Sequence, residues 1–526
     1  MRARTASTGR ETPAGNRGER GDERRLAVID LGSNTFRLVV FRYRTGASFQ
    51  LVDEVREPVR LSAGSEAGRI ADDALERARH ATRLYADFCR AAGIAEVLVL
   101  ATSAARDAVN HEEVLRALSA DGTLPVRIVS EEDEARYGYL GAVNSTTLAH
   151  GFVLDVGGGS LQVSRVRDRR LVAHASRPLG AVRMTERFLT GDQTSRKDMD
   201  RLRGHVAAQL DELDFFSRRG GRLVGLGGTI RTLAAMSQRR DDYPLRTVHG
   251  YVVSRESIRA LIDEMAAMPA AHRPRIRGLK RDRADVTLGG ALVVEAAMDR
   301  AGADRLEVCG QGLREGAFYE HFLAPADPPL VPDVRRQSVL NLAANLGYDR
   351  PHAEHVARLS IGLHSALADA GVHRSGPEEH ELLWAASMLH DVGVLVDYHD
   401  HQRHSHYLVL NAGLPGFRHR ELALVAMLVR GHRKALPDPG ELAPLLWPGD
   451  AALLDRLAAC LRVAEQLERG RARGVTGLRV EDDGERTRLI VEAADDPALA
   501  LWSASLEAPA FERAFSRRLT VEAAPG

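Results

Sequence analysis

Along the chain, apolar and polar positions first come in short strand-like runs and only later settle into long stretches of helical spacing. Leu26–Asp30 and Phe36–Tyr43 flank the small residues Gly32–Thr35 and predict a hairpin, with Phe49–Val59 as a further strand. Ala71–Ala92 has helical spacing and ends at Gly93. Glu96–Ala101 is an apolar strand, and Thr102–Arg106 opens another helix. Val126–Val129 predicts a short strand, and Ser130 a cap for a helix that begins Glu131-Glu132-Asp133-Glu134. Strands alternating with helices predict an α/β unit over residues 25–145.

The pattern then restarts. Phe152–Asp155, a glycine turn and Leu161–Val166 repeat the opening hairpin, followed by Leu171–Ser176 and by helical stretches at Met184–Leu189 and Lys197–Phe216. Val224–Gly228 leads into helical spacing at Thr229–Met236, Ser254–Met268 and Asp285–Arg300. Leu306–Val308 and Leu313–Phe322 close this unit, residues 146–323. Two α/β halves that open alike predict a duplicated fold with its ligand between them. Ala324-Pro325-Ala326-Asp327-Pro328-Pro329 reads as a linker. Residues 333–470 read as helices rich in histidine. The break at Gly470–Gly474 introduces residues 471–526, a small α+β region with strands Leu478–Glu481 and Thr487–Val491 and a helix Pro509–Phe515. Residues 1–24, rich in Arg, Gly, Thr and Glu, read as a disordered tail.

The hairpin turns carry the first chemistry. Asp30-Leu31-Gly32-Ser33-Asn34-Thr35 and Asp155-Val156-Gly157-Gly158-Gly159-Ser160 each place an aspartate at a strand end before small residues, and Gly225-Leu226-Gly227-Gly228-Thr229 repeats the layout without the acid. Such turns let backbone N–H groups approach a phosphate, and the aspartates can hold a divalent cation directly or through water. Three of them predict a phosphate cleft. Cleavage there also needs a group that activates water, and the acidic start of the helix at Glu131–Glu134 is the candidate, although acids also favour helix N-termini for their own sake.

Composition narrows the partners. The chain has 526 residues, 44% of them hydrophobic, with 72 basic and 72 acidic side chains, so no global charge favours nucleic acid or membrane and a polyanion site must be local. Cys89, Cys309 and Cys460 lie far apart, which fits buried thiols in a reducing cytoplasm better than disulfides. No apolar run approaches the ~18–20 residues of a membrane span, and the N-terminus has no apolar signal core. The expected location is cytoplasmic.

Together with Thr102–Ala108, Asp133-Glu134-Ala135-Arg136, Pro178–Arg183 and Gly310-Gln311-Gly312-Leu313-Arg314-Glu315-Gly316, the three turns form an ordered series that resembles the exopolyphosphatase / guanosine pentaphosphatase (Ppx/GppA) family, within the superfamily of sugar kinases, heat-shock chaperones and actin. The resemblance spans about Leu26 to Phe322 and continues into the helical region. It implies two ribonuclease-H-like halves with the active site between them, Glu134 as the base for the attacking water, and Asp155 as a Mg²⁺ (magnesium) ligand. Asp30 joins through water, Gly32–Thr35, Gly157–Ser160 and Gly227–Thr229 bind phosphates, and Arg106 neutralises charge. The chain departs from the family at Gln162, where a glutamate linked to the metal site is usual, and at Asp133, which replaces the first acid of a glutamate pair. An amide oxygen can still ligate the cation or orient its water but brings no charge.

The helical region resembles HD metal-dependent phosphohydrolases, whose sites take a His, a His-Asp pair and a distant Asp. The corresponding residues are His355, His390-Asp391 and, with glutamate at the last place, Glu465, which the resemblance implies as a site for a second, transition metal. The basic strips Arg430–Lys434 and Lys280–Arg283 are candidates for polyanion contact. Three functions follow. The first is an exopolyphosphatase that removes the terminal phosphate of inorganic polyphosphate, the second a guanosine pentaphosphate phosphohydrolase, and the third a polyphosphate- or nucleotide-binding regulator without turnover. Family members are often homodimers, and the same is expected here.

Overall fold

In the computed structural model, residues 23–62, 68–120, 122–217, 221–434 and 438–525 are described; the N-terminal stretch read as a disordered tail lies, up to residue 22, outside them. Each half is built around a hairpin whose first strand also pairs in parallel with a later one. In the first half β1 (Arg24–Leu31) runs antiparallel to β2 (Phe36–Arg44), which runs antiparallel to β3 (Ser48–Glu57). On its other side β1 pairs in parallel with β4 (Glu96–Ala101), and β4 with β5 (Val126–Ile128). The order is β3-β2-β1-β4-β5.

The second half repeats it with β6 (Gly151–Val156), β7 (Leu161–Arg167), β8 (Arg170–Arg177), β9 (Arg222–Leu226), β10 (Val252–Ser254) and β11 (Arg305–Val308), in the order β10-β11-β9-β6-β7-β8. The inner strands β1 and β6 read as near-continuous apolar runs because both faces are covered. Edge strand β10 is not expected from the sequence: three residues with Val252 exposed give no run long enough to read.

Two helices, Glu131–Val143 and Leu313–Phe322, lie between the sheets, and their buried side chains join one core with Val28 and Leu26 of β1, Val153 of β6 and Val224 of β9. They approach closely enough that a Cβ at Gly316 would run into the Tyr137 carbonyl. That contact brings the acidic first turn of one helix and the start of the other to the same edge of both sheets.

Beyond the linker the chain is helical, with Val334–Asn345, Arg350–Asp369, Pro377–Leu389, His401–Ala412, His419–Gly431 and Asp450–Leu467. The last segment forms a sheet of β12 (Val475–Asp482), β13 (Arg486–Ala493) and β14 (Arg518–Ala523), where β14 adds a parallel strand that the sequence does not announce. Leu489, Val491, Phe511 and Leu519 share one core with Leu363, Leu389 and Leu461 of the helices, so the C-terminal sheet is packed on the helical region. Phe49 on β3 ties the first sheet to this region: its N–H donates to Asn341 at 2.7 Å and its carbonyl accepts from Asn345 at 2.8 Å. Among the described residues no helix is long and apolar enough to cross a membrane.

Candidate active site

The two halves meet at a cleft lined by the β1–β2 turn, the β6–β7 turn and the start of the helix Gly227–Arg240. The fold repeat fixes its chemistry. Asp30 and Asp155 occupy the same position, second from the end of the central strand of each half, and the antiparallel ladders set Arg37 opposite Asp30 and Gln162 opposite Asp155. All four line the cleft. Gly227 adopts φ +89°, and a Cβ there would stand 2.7 Å from an Asp155 carboxylate oxygen, so only glycine lets the third turn close over the aspartate. The helix that follows points its free N–H groups at the cleft, the arrangement that favours an anion.

Glu134 enters from the first turn of Glu131–Val143, which starts where the sequence places it: the Ser130 hydroxyl accepts from the Asp133 N–H at 3.0 Å. Its carboxylate accepts from Arg106 Nη1 at 3.1 Å, and the same nitrogen donates to the Val129 carbonyl at 2.9 Å. Burial pushes Glu134 up to about 7; Arg106 opposes this, while the negative charges of Asp155 and Asp30 add to it. Burial likewise raises Asp155 to about 6 and lifts Asp30, with Arg231 and Arg314 pulling back. Three crowded carboxyls, each made reluctant to ionise, form a site that gains from a divalent cation. Their oxygens, with the amide oxygen of Gln162, are donors of the kind a hard cation prefers. Gln162 is 3% exposed and its Nε2 donates to the Ser160 hydroxyl at 2.8 Å, while Oε1 supplies the acceptor a cation can use.

Opposite the acids stand four arginines that also line the cleft: Arg37, Arg231, Arg283 and Arg314. Burial together with mutual repulsion lowers Arg37 and Arg283 to about 10. Arg231 Nη1 donates to the Gly310 carbonyl at 2.8 Å. The Thr35 hydroxyl and one Arg314 nitrogen are buried without a hydrogen-bond partner, as expected of groups that receive phosphate oxygens.

Most of the residues read from the sequence come together here. Asp30, Gly32, Ser33, Asn34, Thr35, Glu134, Asp155, Gly157, Gly158, Ser160, Gln162, Gly227, Gly228 and Thr229 line the cleft. Arg106 and Gly159 do not: Arg106 acts through Glu134, and Gly159 faces an adjoining cavity with Ser33 and Gly158. The four cleft arginines carry no individual role in the sequence reading. Arg37 is readable by register, since it pairs with Asp30, and Arg283 belongs to the basic strip Lys280–Arg283.

A second cluster sits in the helical region, where helix ends bring His352, His390, Asp391, His401, His432 and Glu465 together. Here the sequence reading is corrected: His355 turns away to Glu468 at 3.5 Å, and His352, one helical turn earlier, takes its place beside Glu465 at 3.1 Å. Both lie on one face of Arg350–Asp369, so spacing alone does not separate them. Two other histidines of this region stand apart from the cluster: His399 is exposed, and His406 is bonded to the Ala426 carbonyl. Burial disfavours charge on His390, but Asp391 and Glu465 outweigh it and hold its pKa up to about 9. Arg433 and Lys434 lie at the rim of this cluster, against Tyr398 and Asp400, and not at the cleft.

Comparison with known proteins places both regions. Residues 39–324 match the model of the Ppx/GppA phosphatase family, and residues 334–507 match that of Ppx/GppA phosphatase domain III. An exopolyphosphatase-like protein of known structure is 28% identical, covers 56% of this chain and 96% of its own, and superposes with a TM-score of 0.51. An exopolyphosphatase from Cytophaga hutchinsonii shares the fold at 20% identity, with 57% and 98% covered and a TM-score of 0.52. A Ppx/GppA family member from Aquifex aeolicus is 29% identical over 56% of this chain and 96% of its own, with a TM-score of 0.49.

Proposed function

The chain belongs to the Ppx/GppA phosphatase family and is a hydrolase of phosphoanhydride bonds; from that premise we propose that it is an exopolyphosphatase, which removes the terminal phosphate of inorganic polyphosphate with Mg²⁺. The observation that carries the substrate is the lining of the cleft. Four arginines and three small-residue turns face it, and among the described lining residues there is no aromatic or histidine side chain. Such a surface neutralises a chain of phosphates and offers nothing on which a guanine base would stack.

Asp155, Asp30 and Gln162 Oε1 would hold the Mg²⁺, whose chemistry is to neutralise phosphate charge and orient the oxygens for displacement. Thr35, Thr229 and the N–H groups of the turns would bind phosphate oxygens, and the arginines would balance charge that shifts to the leaving chain. Glu134 takes the proton of the attacking water. A carboxylate brought near neutral pH by burial is well matched to that step. Arg106 holds its carboxylate in place. The two halves fit the ribonuclease-H-like reading, and the helical region reads as HD-like with a transition metal at His390–Asp391. A homodimer in the cytoplasm completes the proposal.

Phosphate release from medium-length polyphosphate and from guanosine pentaphosphate, measured side by side in Mg²⁺, tests it. Polyphosphate is expected to be the better substrate by kcat/KM. Preference for the nucleotide would overturn the substrate, and tight polyphosphate binding with no release would identify a regulator.

A further inference from the structure

We propose that a cavity between β3, the linker and the helical region binds an uncharged cyclic amide, a ring in which N–H and C=O stand side by side, and that its occupant acts on the cleft through Gln311. The site is separate from both the cleft and the histidine cluster. Its occupancy is independent of which phosphate chain the cleft takes.

The cavity has a volume of about 380 Å³, within the ~300–1,000 Å³ of small-molecule sites. Apolar side chains form most of its walls, among them Leu51 of β3, Leu342 and Leu346 of the helix Val334–Asn345, and Leu408 of the helix His401–Ala412. Six carboxamides also line it, and among the described lining residues none is charged. A phosphate or carboxylate would find no counter-ion there, whereas the donors and acceptors of an uncharged ligand meet partners.

The carboxamides specify more than polarity. Gln337, Asn341 and Asn345 follow at four-residue intervals and share one face of their helix. Each spends one end on the main chain of the β2–β3 hairpin. Gln337 Nε2 donates to the Ala47 carbonyl at 2.9 Å, Asn341 Oδ1 accepts from the Phe49 N–H at 2.7 Å, and Asn345 Nδ2 donates to the Phe49 carbonyl at 2.8 Å. This helix face therefore already pairs with amide N–H and C=O groups. Gln337 Oε1, Asn341 Nδ2 and Asn345 Oδ1 have no partner among the described residues and are left for a ligand. Gln50 adds a donor, since its Oε1 accepts from Arg42 at 2.6 Å and its Nε2 is unused among the described residues. Asn144 adds nothing, because Pro329 and Val331 take both its ends. Donors and acceptors offered together match a ring amide, which carries both.

Gln311 is the link to the chemistry. Its Oε1 is buried with no hydrogen-bond partner among the described residues, a demand that a ligand N–H meets. The next three residues, Gly312, Leu313 and Arg314, line the cleft, and the carbonyl of Gly310 before it accepts from Arg231. One short segment thus has the cavity on one side and the cleft on the other. A ligand that fixes Gln311 restrains the approach of Arg314 to the phosphates and favours their binding.

The test titrates the purified full chain, by calorimetry and by melting temperature, with inosine and with the cyclic dipeptide cyclo(Gly-Leu). The first carries the amide in a purine ring and the second in a dipeptide ring, so the tighter of the two identifies the source. One saturable equivalent is expected. Gln311→Leu should weaken it about tenfold, by removing one hydrogen bond and stranding the ligand's N–H. Ala412→Trp, which fills the cavity from its exposed rim, should abolish it. Melting curves establish that both variants are folded. In the parent, saturating ligand should lower KM for phosphate release by roughly fivefold or more, and Ala412→Trp should not respond. No binding of either ring, or binding that both folded variants retain, would overturn the site. Bound ligand with KM unchanged or raised would overturn the coupling to the cleft.

Discussion

Gln162 faces Asp155 directly across the β6–β7 ladder, at the place where the first half sets Arg37 opposite Asp30. The two halves therefore complete the same backbone geometry differently, one with a cation and the other with an amide. The Gln162 amide nitrogen donates to Ser160, which leaves its oxygen as an acceptor that can serve a cation beside Asp155.

Gln162→Glu adds an anionic oxygen beside Asp155. The Mg²⁺ concentration for half-maximal phosphate release should fall several-fold, because a hard cation gains most from charged oxygens. A metal titration of initial rates reads this. Lower activity at every Mg²⁺ concentration would show instead that the added charge repels the substrate.

Glu134→Gln should lower kcat by ~10²–10⁴, as expected for loss of a positioned base, with polyphosphate affinity nearly unchanged. The parent should lose activity on acidification through about pH 7, where Glu134 takes up its proton. Stability moves the other way. The folded-state pKa lies above the ordinary carboxylate value, so the native state binds more protons between roughly pH 4.5 and 7, and stability falls as pH rises through that window. Metal-free Glu134→Gln should thus melt above the parent at about pH 8 and close to it at about pH 5.

Arg283→Ala and Arg433→Ala separate the two basic strips. Arg283 lines the cleft, and its loss should raise KM for polyphosphate, with an effect that shrinks in high salt. Arg433 lies over Tyr398 beside the histidine cluster, and its replacement should leave KM for a short chain unchanged.

Gly227→Ala should be disruptive despite adding one methyl. The residue needs a positive φ, which costs about 1–3 kcal/mol for a side chain that must be held there, and the new Cβ would press on Asp155. A lowered melting temperature together with weakened Mg²⁺ dependence is the expected pair of results.

Much of this architecture can be read from the chain because its signals are local. The hairpins, the Ser130 cap and the helix Leu313–Phe322 follow from alternation, capping and spacing. The turns and Glu134 stand out because glycine and acid runs are visible in sequence. What escapes depends on distant partners. Arg231 matters because its helix is set beside Gly310, and Arg314 because its helix reaches the cleft between two sheets. His352 and His355 share a helix face, and only the position of Asp450–Leu467 decides between them. Strand β14 alternates in Arg518–Ala523, but its parallel pairing to β13 across a helical connection gives no local turn to announce it.

His249 accepts the Gly310 N–H at 3.0 Å, and its own carbonyl accepts from His419 of the helical region at 2.9 Å. Because Arg231 donates to the carbonyl of the same glycine, the segment that delivers Arg314 is suspended between the cleft and the C-terminal helices. The two exopolyphosphatase structures compared above each match a little over half of this chain, which invites cutting it down to the matching part. For this chain such a cut would not be a trimming. It would take one anchor from the segment that leads into the helix of Arg314, an arginine of the cleft, and a shortened enzyme would have to find that support again within itself.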